Sequence, residues 1–219
     1  MTTEPAGPEA PQQDVEHPAA PWRLVGSMWV TAFRVSDGAG AGSRPGGLYL
    51  AAFVQYAEGS VLTYSELLVA RALGRSQGRA VTITDIWVDS PASMAGGREL
   101  WAIPKGLCDF DLDSAHRGPV STTDWTASRA RHPIAEASFR DVSRLAPRVP
   151  FAGRTHQPPL PGADPDAGRG DLVTRMRGTA RVLPARARWD LAADGPLAYL
   201  RDARQLGSVR VADFRLDFG

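Results

Sequence analysis

The chain is nearly devoid of lysine and cysteine. Its 25 Lys and Arg residues are 24 arginines and one lysine, Lys105. The single cysteine, Cys108, excludes an intramolecular disulfide and a cysteine-built metal cage. Histidine is sparse as well: His17, His116, His132 and His156 are scattered, with no pair at i, i+4 ligand spacing, so no metal site is indicated and no cofactor is implied. No run of about 18 apolar residues is present to span a bilayer, and the N-terminus lacks the basic region and apolar core of a secretory signal. A cytoplasmic protein with no membrane partner is expected. Charge of one sign is never concentrated either. The 24 acidic residues are interspersed with the arginines, the formal net charge is +1, and no basic block exists to neutralise phosphates, which argues against nucleic acid as a partner.

What remains is the composition of an ordinary globular protein, 43% hydrophobic and 22% charged over 219 residues. Residues 1–20 carry four prolines and almost nothing to bury, and read as a disordered tail before a single domain at 21–219. Strand patterns rich in β-branched and aromatic residues occupy 29–35, 48–56, 61–72 and 80–88. The period then changes. Ser90-Pro91 puts a capping hydroxyl before a proline at the first helical position, and Ala92 to Trp101 reads as a short helix that Gly96 and Gly97 weaken and Pro104 stops. Further strands are expected at 107–112, 121–128, 134–142, 172–183, 185–191 and 209–218, with a second helix at 196–203 and a long proline-rich loop at 154–170. The fold class is mainly β (α+β): a large antiparallel sheet, curled or closed into a barrel, with a few packed helices.

Lys105 falls just past the helix, where a new strand begins. A guanidinium stays protonated in proteins, whereas a desolvated amine can lose its proton and attack a carbonyl, so one retained lysine invites a chemical reading. With a reference pKa of about 10.4, only about one part in a few thousand is neutral at pH 7, so a nucleophilic role needs something to lower that value. Trp101, Ile103 and Leu107 are candidates for apolar walls that would do so.

Three local patterns resemble the acetoacetate decarboxylase family, in the family's order. Gly97-Arg98-Glu99-Leu100 followed by Pro104-Lys105 resembles the segment whose lysine forms a Schiff base. Tyr64-Ser65-Glu66 resembles the segment bearing an active-site carboxylate, and Phe33-Arg34 resembles a Tyr-Arg pair bearing an active-site arginine. The resemblance spans Trp22 to about Leu112, and Gly195-Pro196-Leu197 and Asp213-Phe214-Arg215 look like those of short bacterial relatives. It implies an acetoacetate decarboxylase-like fold, a homo-oligomer, a small-molecule carbonyl substrate, Lys105 as nucleophile, Glu66 as proton shuttle or polar orienter, and Arg34 as the group that binds substrate carboxylate or carbonyl oxygen. Tyr64, Met94 and Trp101 are candidate substrate-binding residues, although such side chains are more often core. The alternatives are that Glu66, in a strand, points to solvent and that Arg34 pairs with Glu66 or Glu99 as a buried structural ion pair.

The chain also departs from the family pattern. The decarboxylases carry a second lysine directly after the nucleophile, where this chain has Gly106. A second carboxylate of their site falls on Ala51 if no gap intervenes. Two readings follow. In the first, the protein is a lyase or condensing enzyme that forms a Schiff base with a keto acid or related carbonyl compound, in a decarboxylase-like or aldolase-dehydratase-like reaction of secondary metabolism. In the second, Gly106 and Ala51 widen the pocket, and the barrel is a non-covalent cyclase or binding protein for a larger hydrophobic metabolite.

Overall fold

The computed structural model describes residues 15–37, 44–74, 80–142, 146–162 and 170–219. Among these residues, eleven strands and one α-helix appear in the order β1 (Trp22–Val35), β2 (Gly47–Tyr56), β3 (Tyr64–Ala72), β4 (Val81–Val88), α1 (Pro91–Trp101), β5 (Gly106–Leu107), β6 (Asp109–Arg117), β7 (Val120–Arg129), β8 (His132–Val142), β9 (Arg148–Gln157), β10 (Leu172–Leu191) and β11 (Arg204–Phe218). Antiparallel pairing runs β11-β1-β2-β3-β4, and β4 meets β9 in a single parallel bridge, Val81 to Thr155. β9 pairs with β10, and β10 pairs back to β11. Seven strands therefore close on themselves, which settles the choice between an open curled sheet and a barrel.

The closure rests on the 20-residue β10, read from the sequence as two strands divided at Pro184. The β9 ladder ends at Arg181 and the β8 ladder begins at Ala185, so the proline, which has no N–H to donate, falls in the changeover between partners. Beyond it the chain leaves the barrel and pairs with β8, and β8-β7-β6 form a flap against the barrel's outer wall. Gly26 and Gly178 sit where neighbouring backbones crowd: a Cβ would lie 2.0 Å from the Gln55 carbonyl oxygen at the first and 2.1 Å from that of Arg215 at the second. No side chain fits there.

Strand alternation sorts the apolar residues into two clusters. On β2, Tyr49, Ala51 and Phe53 face outward into a cluster with Trp29, Trp125 and Phe139 beneath the flap, whereas Ala52, Val54 and Tyr56 face the barrel interior with Trp22, Ile86 and Phe214. Phe53 is the hub of the outer cluster, stacked on Trp125 at 5.2 Å and on Trp189 at 5.4 Å between ring centroids. The inner cluster does not fill the barrel, and a cavity of about 380 Å³ remains inside it.

Several expectations need correction. β9 lies where a loop was expected to begin; Pro150 and Gly153 obscured it, and proline is tolerated because β9 has β10 on one side and only the Thr155 bridge on the other. The expected helix at 196–203 is one 3-10 turn at Ala198–Leu200, a segment too short to sustain an α-helix. Residues 1–14 of the expected tail and 163–169 of the expected loop lie outside the described residues. The last residues of that tail are placed against α1: His17 Nε2 is 3.0 Å from Glu99, and the Trp22 indole donates to the Pro18 carbonyl at 2.9 Å. Among the described residues no helix is long and apolar enough to cross a membrane, and no group of His, Cys, Asp and Glu is arranged to hold a metal ion.

Candidate active site

α1 delivers Lys105. Ser90 caps the helix by accepting from the Ser93 N–H at 3.2 Å, with Pro91 in the first turn. The helix ends at Ala102, whose left-handed backbone (φ 52°) turns the chain back, closed by Ala102 N–H to the Arg98 carbonyl at 3.2 Å and Ile103 N–H to that of Gly97 at 3.0 Å. β5 then pairs in parallel with the end of β4, Trp87 to Gly106 and Val88 to Leu107, which fixes the backbone on the far side of Lys105. The lysine stem folds back across Gly97, where a Cβ would lie 2.7 Å from Lys105 Cδ and 2.8 Å from Cε. Gly96 makes similar room for the Trp22 ring, 2.6 Å from where its Cβ would stand. The two glycines that weaken the helix on paper are the floor beneath the lysine and a cavity-wall tryptophan.

The ammonium group is buried and fully engaged. Nζ donates to Glu66 Oε2 at 3.0 Å, to Ser93 Oγ at 2.9 Å and to Tyr64 OH at 3.4 Å. Tyr56 OH donates to the other Glu66 oxygen at 3.1 Å. β3 alternation points Tyr64, Glu66, Leu68 and Ala70 inward, and the Tyr56-Tyr64 register places the two phenols side by side, 4.3 Å between ring centroids. Lys105 Nζ also stands 5.1 Å from the Tyr64 ring centre and 5.9 Å from that of Trp22.

This environment holds the proton on Lys105. Burial, the largest influence, pulls its pKa down, but the charge and hydrogen bonds of Glu66 and Tyr64 outweigh it and the net shift is upward. The expectation that apolar walls would keep the amine neutral is therefore corrected: the resting group is an ammonium with a carboxylate counterion. Burial, reinforced by Glu66, raises Tyr56 well above the ordinary phenol range; burial also raises Tyr64, partly opposed by Lys105. Both phenols remain protonated at physiological pH.

Lys105, Glu66, Tyr64 and Trp101 all line the barrel cavity. Arg34 does not. It has the inward parity of Met28 and Val30 on β1, but it lies four residues beyond Val30, about 13 Å at about 3.3 Å per residue, past the cavity's end and exposed to solvent. Met94 packs on the inner cluster from α1 without reaching the cavity wall. Ala51 faces the outer cluster, and a Cβ on Gly106 would first meet Trp87, 3.4 Å away, which packs on that same cluster. Neither position widens the cavity, and a lysine at 106 would start out on the opposite side of the sheet. Leu107 is similarly exposed and forms no wall.

Two members of the polar group, Ser93 and Tyr56, were not singled out from the sequence. Ser93 carried a faint signal, lying on the N-terminal turn of the predicted helix that precedes Lys105. Tyr56 carried one only in hindsight, as the residue whose strand parity matches Ala52 and Val54.

The family model described as acetoacetate decarboxylase (ADC) matches residues 42–203. Among solved structures, acetoacetate decarboxylase from Legionella pneumophila is similar at a TM-score of 0.59 and 15% identity, over 95% of this chain and 88% of that one. The enduracididine biosynthesis enzyme MppR complexed with pyruvate gives 0.60 and 16%, over 95% and 91%. An acetoacetate decarboxylase-like enzyme from Sphingomonas wittichii gives 0.58 and 15%, over 95% and 94%. At these identities the likeness is one of fold. A comparison with curated proteins returned no significant match.

Proposed function

We propose, from the premise that the chain belongs to the acetoacetate decarboxylase family, that it is an enzyme in which Lys105 condenses with a carbonyl substrate to form an imine. One observation carries the reading: the only lysine of the chain lies inside the barrel, on the wall of an otherwise largely apolar cavity, within hydrogen-bond reach of a carboxylate. A relative in fold, MppR, has been captured with pyruvate and with a condensation product of pyruvate, which accords with carbonyl chemistry on this scaffold.

The resting ammonium needs a proton acceptor, and Glu66 is in place for it. Transfer of one proton from Nζ to Glu66 leaves a neutral amine beside a neutral acid, and the pair's net charge is zero before and after. The amine lone pair attacks the carbonyl carbon, the carbonyl oxygen becomes a hydroxyl as a nitrogen proton moves to it, and the Glu66 proton releases that hydroxyl as water. The product is a protonated imine, again balanced by the Glu66 carboxylate. At rest Ser93 and Tyr64 accept from the nitrogen and Tyr56 donates to the carboxylate; as the nitrogen loses protons it gives up these bonds, and the protonated imine keeps a single N–H to donate. The protonated imine is an electron sink for carbanion character at the adjacent carbon, which suits lyase and condensation outcomes alike.

A non-covalent reading is favoured by one feature, the engagement of all three Nζ protons in the resting site. A single experiment separates the two. Protein is incubated with a panel of keto acids, ketones and aldehydes in the presence of sodium borohydride, and intact mass and peptide maps are recorded. A reduced adduct on Lys105, absent from Lys105→Ala, is expected; absence of an adduct with every compound, combined with unimpaired ligand binding or turnover in Lys105→Ala, would replace the imine reading with the non-covalent one.

A further inference from the structure

We infer that the substrate is a hydrophobic carbonyl compound with no charge next to the reacting carbon, rather than a short keto acid. This rests on the imine reading above only for the orientation of the carbonyl toward Lys105; the preference itself follows from the cavity's charge and size.

Among the described residues the cavity wall includes three charged side chains. Lys105 and Glu66 are buried and neutralise each other at 3.0 Å. Arg154, the third, lies at the mouth on β9. Gly153 and Thr155 flank it, and Thr155, on the opposite parity of the strand, is buried; the Arg154 side chain is exposed and has Arg175 as its cross-strand neighbour. Arg34 is outside altogether. A carboxylate beside the reacting carbonyl would thus enter a largely apolar cavity whose one buried cation already has its anion. The site would hold two anions against one cation, and burying an unmatched charge is opposed by desolvation. An uncharged ketone or aldehyde keeps the count even at every step: ammonium and carboxylate at rest, amine and acid at attack, iminium and carboxylate afterwards.

Size agrees. At about 30 Å³ per water molecule, 380 Å³ corresponds to about a dozen waters, twice the heavy-atom count of a three-carbon keto acid. The wall leading away from Lys105 is mostly aliphatic, formed by Met28, Val30, Leu50, Leu68, Ile83 and Met176; its polar exceptions on β9 are the exposed Arg154 and the Thr155 hydroxyl, and neither supplies a buried cation for a carboxylate. An alkyl or aryl body of eight to ten carbons would gain from the same surface at roughly 25 cal/mol for each Å² removed from water.

A matched pair of probes isolates the charge. Nonan-2-one and 2-oxononanoate share a carbonyl and a heptyl chain and differ in a methyl against a carboxylate. Binding to the wild-type protein is followed by the change in intrinsic tryptophan fluorescence, to which Trp22 and Trp101 on the cavity wall contribute, and adduct formation separately by borohydride and mass. Nonan-2-one is expected to bind at least tenfold more tightly than 2-oxononanoate and at least a hundredfold more tightly than pyruvate. Glu66→Gln, which removes the resident anion, should narrow the gap within the pair at least fivefold. Equal or tighter binding of 2-oxononanoate to wild-type protein would overturn the inference while leaving imine formation standing if that acid is trapped on Lys105. The stated preference without any adduct would uphold the inference and remove the imine reading.

Discussion

Lys105 illustrates how one neighbour reverses an environment. Buried among aromatic rings, an amine would lose its proton far more readily than in water; with Glu66 at 3.0 Å it holds it more tightly. Replacing Glu66 with Gln removes the largest influence that opposes burial and leaves only the weaker one of Tyr64, so the Lys105 pKa in Glu66→Gln should fall below its ordinary value. At neutral pH the variant should lose about 3–5 kcal/mol of stability, the usual cost of breaking a buried pair from one side, measurable by urea denaturation. The sign of the pH dependence follows. Because the folded pKa of Lys105 is raised, the pair stabilises the wild type fully below the unfolded-state value of 10.5, and that stability is lost as pH rises through the higher folded value. Cys108 should be inert to thiol reagents at pH 8, since burial, with Asp109 and Asp89 adding to it, pushes its thiol up to about 12. At this scale the sequence was readable where a residue type was rare or sat in a motif, as for Lys105 and Glu66. It was unreadable for Ser93 and Tyr56, common residues whose importance comes from a helix turn and a strand register that bring them to the lysine from 12 and 49 positions away.

Among the elements, α1 does the most for the site and was the most legible. Ser90, Pro91 and Pro104 marked its bounds, and capping and termination are local effects that neighbours in sequence control. The reason for Gly96 and Gly97 was hidden, because it lies in side chains that pack over them from residues 22 and 105. Gly97→Ala tests that account. Alanine gains about 1 kcal/mol of helix propensity, yet its methyl would overlap Lys105 Cδ and Cε. The variant should fold with a thermal midpoint within a few degrees of wild type and form the borohydride-trapped adduct at least tenfold more slowly. Equal trapping rates would show that the stem does not depend on the glycine. β9 was illegible for the opposite reason, since Pro150 and Gly153 argue against a strand unless one edge is already known to be almost unpaired.

In the molecule as a whole, the weak point of the barrel is the seam between β4 and β9. One backbone bridge is assisted there by the buried Gln157, whose amide accepts from Ile83 N–H at 2.6 Å and Thr82 Oγ1 at 3.2 Å and donates to the Ile83 carbonyl at 3.2 Å. A side chain thus does the work of a missing stretch of ladder. Gln157→Ala should cost about 2–3 kcal/mol by leaving both Ile83 backbone groups unpaired, and hydrogen exchange should accelerate at Ile83 before the β1-β2 pair opens. The sequence conveyed the mainly β class and left closure open, because closure depends on β10 changing partners at Pro184 and on the β10–β11 pairing, neither of which has a local signature. Whole-molecule geometry also decides which motif matches matter: Phe33-Arg34 matches the family pattern, yet β1 carries Arg34 past the end of the cavity.

A chain with one lysine offers an uncluttered spectroscopic handle. Protein labelled with [ε-¹³C]lysine should give one side-chain resonance, titrating with a midpoint above 10.5 in the free state. On addition of nonan-2-one it should move to a new position, that of a methylene carbon bonded to an imine nitrogen. A resonance that every carbonyl compound leaves in place, or one that titrates below the ordinary lysine value in the free protein, would refute the picture of Lys105 as an ion-paired amine that Glu66 releases for attack.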